Sequence, residues 1–529
     1  MNTTSKRILV ALAVAGILPI SGCSRAGDDD DVAHAAAPAT DAKAPVEGID
    51  WFDGDVDSAF AAARESGKPV FLYWGAQWCP PCHLVKATVF KSRSFIERSR
   101  LFIPVYLDGD TANAQALGER FGVLGYPTMI LFRPGGEEIT RIPGSSDATA
   151  YANALDISLH SETAVVTLLE SILATPRALT AAECGQLAYH SWGQDQKALD
   201  ERDPVAVHRA IHTLCPADAV LARSVAWMNY LVAATDGDVE FSIERADRAA
   251  AVATTLSVLG DPAAVRANLY PVLFDGAQIV RHLTEAGSAA REALTGEFLS
   301  AYARIAADDS VFWGVRLYAQ YGRLAFERMD NPERPPSAAL RADILAAVKA
   351  ADEATDNVYE RQSVINTANN VLTEAGLLDE SKALLIREIG ISKQPYYFMV
   401  SLADVEQETG NINDALGWLR RAWEVSDGPA TRFQWGNYYI AGLIDMAPEQ
   451  TDLIRDTVLQ VFDELAATRA FYQRPRRQLA RLRQRLDAWG EDPATATAMA
   501  AIRERVRGVC TTLPEDDPAK DTCLSFLST

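Results

Sequence analysis

The sequence predicts two architectures in tandem: an α/β unit in which helices cover one central sheet, followed by a mostly α-helical, solenoid-like region. Three observations carry this expectation. Between about residues 48 and 160, short apolar runs of strand type alternate with helix-like segments. From about residue 161 to 529, Ala, Leu, Arg and Glu dominate and strand-like runs are scarce. Within that second region, Val371, Glu374, Gly376, Leu385, Arg387, Ser392 and Pro395 recur 34 positions later as Val405, Glu408, Gly410, Leu419, Arg421, Ser426 and Pro429. That interval is the period of tetratricopeptide helix pairs, so the region is expected to be a degenerate stack of this kind. Its alternative is an irregular helical domain.

The elements follow in chain order. Lys6 and Arg7 precede thirteen apolar residues, 8–20, too few to cross a hydrocarbon core that needs roughly 20 in a helix. Ile20-Ser21-Gly22-Cys23 resembles the lipobox of bacterial lipoproteins. The resemblance implies that residues 1–22 are a signal peptide, that Cys23 is acylated, and that the protein is lipid-anchored in the cell envelope, facing the periplasm. Ser24 rather than Asp after the cysteine favours the outer membrane. Residues 23–47, with Asp28 to Asp31 and an Ala/Pro/Thr-rich run, read as a flexible tether.

In the α/β unit, residues 57–65 read as a helix stopped by Gly67, and residues 70–74 as a buried strand. A helix runs from Cys82 to about residue 89, a second strand covers 103–107, and a helix 112–121. Residues 128–132 form a third strand, Pro134-Gly135-Gly136 a turn, residues 138–142 a fourth strand, and 147–159 a closing helix.

The 529 residues are 48% hydrophobic and 23% charged, which excludes a disordered or fibrous chain. Fifty Lys and Arg against 71 Asp and Glu leave a net charge of -21, which argues against nucleic acid as a partner. Protein or small-molecule partners fit better. With Cys23 assigned to lipid, the other six cysteines fall as Cys79/Cys82, Cys184/Cys215 and Cys510/Cys523. An oxidising envelope favours disulfides in such pairs.

Trp78-Cys79-Pro80-Pro81-Cys82 is the candidate catalytic site. It follows a buried strand and opens a helix, so Cys79 lies where unpaired N–H groups and the helix dipole favour a thiolate. Such a thiolate attacks a substrate disulfide, and Cys82, one turn in, resolves the mixed disulfide. Prolines are tolerated there because first-turn amides have no intrahelical partner. Residues 48–160 accordingly resemble the thioredoxin-fold family, in texture the C-terminal domain of DsbD-type membrane reductases and related thioredoxin-like lipoproteins. The resemblance rests on Lys68-Pro69-Val70, the cysteine motif, and Gly125-Tyr126-Pro127-Thr128. It implies a cis-proline at Pro127 packed on the disulfide, with Tyr126 offering backbone hydrogen bonds to a substrate and Trp78 bordering the groove.

Two departures qualify the likeness. Tyr73 stands where the family has a buried Asp, and Gln77 where DsbD-like relatives often have an acid, so Cys82 has no obvious internal base. Pro80 removes an N–H that would stabilise the thiolate, while a protonated His83 on the same helical face would offset that loss. The expected function is therefore a membrane-anchored thiol–disulfide oxidoreductase acting on protein thiols and disulfides in the envelope. Its electron donor would be a membrane protein of DsbD type, its only redox group the disulfide, and its helical region would bind partners. The alternative is a non-catalytic scaffold lipoprotein that retains the thioredoxin-like module. Either needs testing against geometry, because exchange requires a groove that leads to the sulfurs.

Other features have plainer readings. Cys79-Pro80-Pro81-Cys82-His83 also satisfies the c-type haem motif, but the strand before it and Tyr126-Pro127-Thr128 suit a compact sheet better. Cys184–Cys215 is expected to close a helical hairpin and Cys510–Cys523 to staple the C-terminal tail. His208 and His212, one turn apart and near Cys215, have metal-compatible spacing, yet ordinary helix histidines are expected and no metal is assigned. Arg474, Arg476, Arg477, Arg481, Arg483 and Arg485 form a basic cluster expected to pair within the acidic chain. Trp418, Trp423, Trp435, Tyr438 and Tyr439 are read as core.

Overall fold

A computed structural model describes residues 48–144, 147–199, 202–235, 243, 247–468, 473–515 and 517–527. Cys23, expected to be acylated, and the segments expected to be a signal peptide at 1–22 and a tether at 23–47 lie outside the described residues.

The α/β unit starts with α1 (Val56–Ser66), whose first turn is capped by Asp55 accepting from the Ser58 amide at 2.7 Å. Gly67, at φ 71°, ends it in the left-handed conformation that favours glycine. β1 (Val70–Gly75) is buried along its whole length. It leads into α2 (Pro80–Val85), which continues as a wider turn over Lys86–Phe90 and is followed by α3 (Arg93–Arg98). Then come β2 (Ile103–Asp108), α4 (Ala112–Arg120), β3 (Thr128–Phe132), β4 (Glu138–Ile142) and α5 (Ala148–Leu159).

The sheet order is β2-β1-β3-β4. β1 and β2 are parallel, Tyr73 opposite Tyr106, because a helical crossover separates them. β3 runs antiparallel to β1, Trp74 opposite Thr128, and β3–β4 is a hairpin with a bulge at Leu131/Phe132. Strand alternation divides the core: Phe71 and Tyr73 pack with Val85, Phe90, Phe95 and Tyr151 on one face. Val70, Leu72 and Trp74 pack with Phe60, Val105 and Ala114 on the other. Helices therefore cover both faces, as expected.

The remainder is largely helical. Helices Ala181–Ala188 and Pro204–Leu214 are joined by the Cys184–Cys215 disulfide, which ties the middle of the first to the C-cap of the second. It therefore links helix body to helix end, where the sequence suggested the two ends of a hairpin. The Cys510–Cys523 disulfide joins Ala496–Thr511 to Pro518–Ser525. Between them lie consecutive helix pairs: α6 (Val358–Glu374) with α7 (Leu378–Ile389), and α8 (Pro395–Glu408) with α9 (Ile412–Val425). α10 (Pro429–Met446) and α11 (Thr451–Thr468) follow, then α12 (Gln473–Trp489). The repeated Gly376 and Gly410 end α6 and α8 at φ 70° and 81°. Ser381 and Ala415 are fully buried where α7 and α9 lie against their neighbours.

The two regions are knitted together. His190 Nδ1 lies 2.9 Å from Thr140 Oγ1, and the Ser191 amide donates to the Arg141 carbonyl at 2.9 Å. Arg141 in turn donates to the Gln194 carbonyl at 2.6 Å. The Ser191–Arg141 bond takes a main-chain acceptor on the edge strand β4, and the three bonds together seat the helical region on the sheet.

Candidate active site

The site is built where β1 ends. Cys79 is extended, at φ -81° and ψ 107°, and forms the N-cap of α2, its Sγ accepting from the Cys82 amide at 3.2 Å. Pro80 and Pro81 fill the first helical positions without wasting a donor. One helical turn brings Cys79 and Cys82 to a Cα separation of 5.2 Å, and their sulfurs are bonded.

From the other side comes the loop before β3, where the Tyr126–Pro127 peptide is cis. The Tyr126 carbonyl oxygen lies 3.6 Å from Cys79 Sγ. Tyr126 is held by its hydroxyl, which donates to the Gly109 carbonyl at 2.9 Å and accepts from Gln115 Nε2 at 2.7 Å. A side chain at Gly109 would collide with the Tyr126 ring. Trp78 donates from Nε1 to Asp110 Oδ2 at 2.8 Å. The fold thus gathers Trp78, Cys79, Cys82, Tyr126 and Pro127 around one bond.

The helical region covers that bond, however, where the sequence reading required an open groove. Cys79 is 2% exposed and Cys82 0%. Trp78 stacks on Tyr397 of α8 with ring centres 6.4 Å apart and planes at 18°, and meets Trp435 of α10 at 5.6 Å. Both cysteines belong to one apolar cluster with Tyr396, Tyr397, Met399 and Trp435. Gln362 Nε2 of α6 donates to the Trp78 carbonyl at 3.4 Å, and Thr431 Oγ1 of α10 donates to Asp110 Oδ1. The physical reason is the apolar rim itself: an exposed Trp78-Tyr126 surface gains by burial against another aromatic face.

His83 corrects a second expectation. Its Nε2 donates to the Gln77 carbonyl at 2.5 Å, and its ring lies 5.8 Å beneath that of Tyr359 on α6. Burial, then the nearby Lys86 ammonium, pushes its pKa down to about 4, the Gln77 carbonyl opposing weakly. At neutral pH it is uncharged and gives a Cys79 thiolate no cationic support. Tyr73 is wholly buried, its hydroxyl has no hydrogen-bond partner among the described residues, and burial raises its pKa. It cannot serve as a base near neutrality.

Several residues at the site escaped the sequence reading. Lys86 follows Cys82 by one helical turn, its amide donating to the Cys82 carbonyl. Burial lowers its ammonium to about 8, and the neighbouring Asp108 carboxyl opposes that shift. Burial raises Asp108 in turn, against the Asp110 amide and Lys86. The i,i+4 spacing of Cys82 and Lys86 was a usable signal. Nothing local marked Asp110, Gln362, Tyr397, Thr431 or Trp435, which reach Trp78 and its partner across the fold.

The secondary features resolve as follows. With the two motif sulfurs bonded to each other and His83 committed to Gln77 and Tyr359, this arrangement does not fit a haem. His208 packs edge-on to Trp192 and His212 packs on Trp227, and burial lowers both to about 4. Among the described residues no cluster of three metal-ligating side chains occurs. Arg476 pairs with Glu119 at 3.0 Å, Arg477 donates to the Leu124 carbonyl and Arg485 pairs with Asp445. Arg483 donates to the Ser525 carbonyl at 2.9 Å, while the side chain of Arg474 lies outside the described residues. Arg476, Arg477, Arg483 and Arg485 therefore bind within the chain, the first two as a strap onto the α/β unit.

Comparison with known proteins agrees with this geometry. Residues 56–157 match a family profile described as a thioredoxin-like domain. A thiol:disulfide interchange protein DsbD 1 of Pseudomonas aeruginosa is 33% identical over 104 residues, 19% of this chain and 18% of that protein. A DsbD of Cronobacter sakazakii is 40% identical over 107 residues, covering 19% and 18% respectively. A bifunctional thioredoxin reductase/thioredoxin of Mycobacterium leprae is 36% identical over 128 residues, 24% of this chain and 26% of that protein. The similarity to these two DsbD proteins thus spans about a fifth of each protein's length.

Proposed function

Starting from a thioredoxin-like domain at residues 56–157, we propose that this chain is a thiol–disulfide oxidoreductase of the cell envelope acting on protein disulfides. The observation that carries the reading is the Cys79–Cys82 bond at the start of α2, facing a cis Tyr126–Pro127 peptide 3.6 Å away. In the dithiol form, the Cys79 thiolate attacks a client disulfide, forming a mixed disulfide and releasing one client thiolate. The Cys82 thiolate then attacks Cys79 Sγ, expelling the second client thiolate and closing the Cys79–Cys82 disulfide. Two electrons pass to the client, and an upstream dithiol, such as a membrane donor of DsbD type, restores the pair. Trp78, Tyr126 and Pro127 shape the groove, and Pro80 weakens stabilisation of the thiolate. No redox group besides the disulfide is invoked. Acylated Cys23 would hold the protein on the membrane, outer membrane favoured, and the helical region would receive partners.

A second reading, a binding lipoprotein without turnover, is favoured by the buried disulfide and by the buried Tyr73, whose pKa burial raises. One experiment separates the two. Cys82→Ala should leave Cys79 in mixed disulfides with envelope proteins, seen as reducible adducts on non-reducing gels. No adduct, together with no insulin reduction by the dithiol even when Gln362→Ala and Thr431→Ala loosen the helices packed over the site, would favour the binding reading.

A further inference from the structure

We propose that the face formed by α6, α8 and α10 is a built-in cover that occupies the substrate groove and makes exchange at Cys79 conditional on its displacement. The inference rests on the oxidoreductase reading and specifies its regulation. Thiol–disulfide exchange requires the incoming sulfur to reach a disulfide sulfur directly, yet Cys79 is 2% and Cys82 0% exposed. The covering helices, with Gln194 from the 192–194 turn beside them, also occupy the polar and aromatic groups that border the disulfide. Gln362 Nε2 donates to the Trp78 carbonyl at 3.4 Å, and Gln194 Nε2 donates to the Pro127 carbonyl at 2.7 Å. Tyr397 takes the aromatic face of Trp78, and Thr431 ties down Asp110, the residue that orients the indole. Uncovering the disulfide therefore means breaking hydrogen bonds and ring contacts already made within the chain.

The rim of this cover is polar and separable. Lys91 of the α/β unit pairs with Glu360 of α6 at 2.5 Å, and Glu119 pairs with Arg476 of α12 at 3.0 Å, all four side chains being partly exposed. Pairs of that kind are weak individually, on the order of 0–1 kcal/mol. The cover is tethered to its groove, so its effective concentration is high and a free client disulfide competes poorly. A closed cover also desolvates Cys79, which disfavours the thiolate. Opening thus supplies both access and reactivity.

The test uses the full chain and dithiothreitol as the attacking thiol. Samples are quenched with iodoacetamide, and alkylation of Cys79 is read by peptide mass spectrometry, which excludes the two other buried disulfides from the signal. The wild-type disulfide should be reduced at least about tenfold more slowly than oxidised glutathione. Gln362→Ala with Thr431→Ala should accelerate its reduction about tenfold, equivalent to ~1.4 kcal/mol less closing free energy. Lys91→Glu should accelerate it several-fold, and adding Glu360→Lys should return it to the wild-type rate, a rescue that general unfolding would not give. Wild-type reduction as fast as that of glutathione, or rim variants no faster than wild type, would overturn the cover. Faster access to Cys79 in the opened variants without insulin reduction would support the cover and defeat the oxidoreductase reading alone.

Discussion

His83 offers the sharpest quantitative check, because its charge was the sequence-based expectation that burial reversed. The perturbation is acid, compared between wild type and His83→Gln. In the unfolded chain His83 titrates near its ordinary value of 6.5, whereas in the folded chain burial and Lys86 hold it at about 4. The folded pKa is the lower one, so between these limits the unfolded chain binds the extra proton. Stability is therefore full above about pH 6.5 and falls as pH drops toward 4, by roughly 1.4 kcal/mol per pH unit for one proton. Across the whole window this amounts to ~3 kcal/mol, a large share of a domain's stability. Urea unfolding followed by tryptophan fluorescence at about pH 7, 6 and 5 measures the slope. His208 is shifted in the same direction and contributes to both proteins, so the difference isolates His83. The variant should be less steep by about one proton. Equal slopes would refute the buried, neutral His83 and with it the seal of α6 over α2.

Two other predictions test the frame of the site. Tyr73→Phe should be neutral or stabilising by up to about 1 kcal/mol, since it removes a buried hydroxyl that has no partner among the described residues; a loss above ~1 kcal/mol in denaturant titration would reveal a bond the hydroxyl makes. Replacing Cys184 and Cys215 together by Ala opens a loop of sequence separation 31, for which chain entropy predicts a loss of ~3–4 kcal/mol, checked by thermal unfolding under non-reducing conditions.

Much of the α/β unit was legible because its signals are local. Residues 128–132 and 138–142 were read as strands and form β3 and β4 with those bounds, since an apolar run and an Ile-alternating segment flank a Pro-Gly-Gly turn. Cys79, Cys82 and Pro127 were legible for a similar reason: a pair three residues apart at a helix start can close within one turn, and Tyr126-Pro127-Thr128 leads straight into a strand. Trp435 was read as core, which is correct as far as it goes. Its neighbour in that core is Trp78 of the redox motif, and no periodicity in α10 announces a partner that distant.

By itself, the order of residues determined that two cysteines would meet on the first turn of a helix beside a proline loop. Those contacts depend on backbone geometry over a few positions. Only the tertiary structure decided whether the bond between them meets solvent, because Gln362 and Thr431 reach Trp78 and Asp110 across separations of 284 and 321 residues. It also decided that His83 is neutral. Burial depends on what the rest of the chain places overhead, and desolvation disfavours the charged form of a buried imidazole.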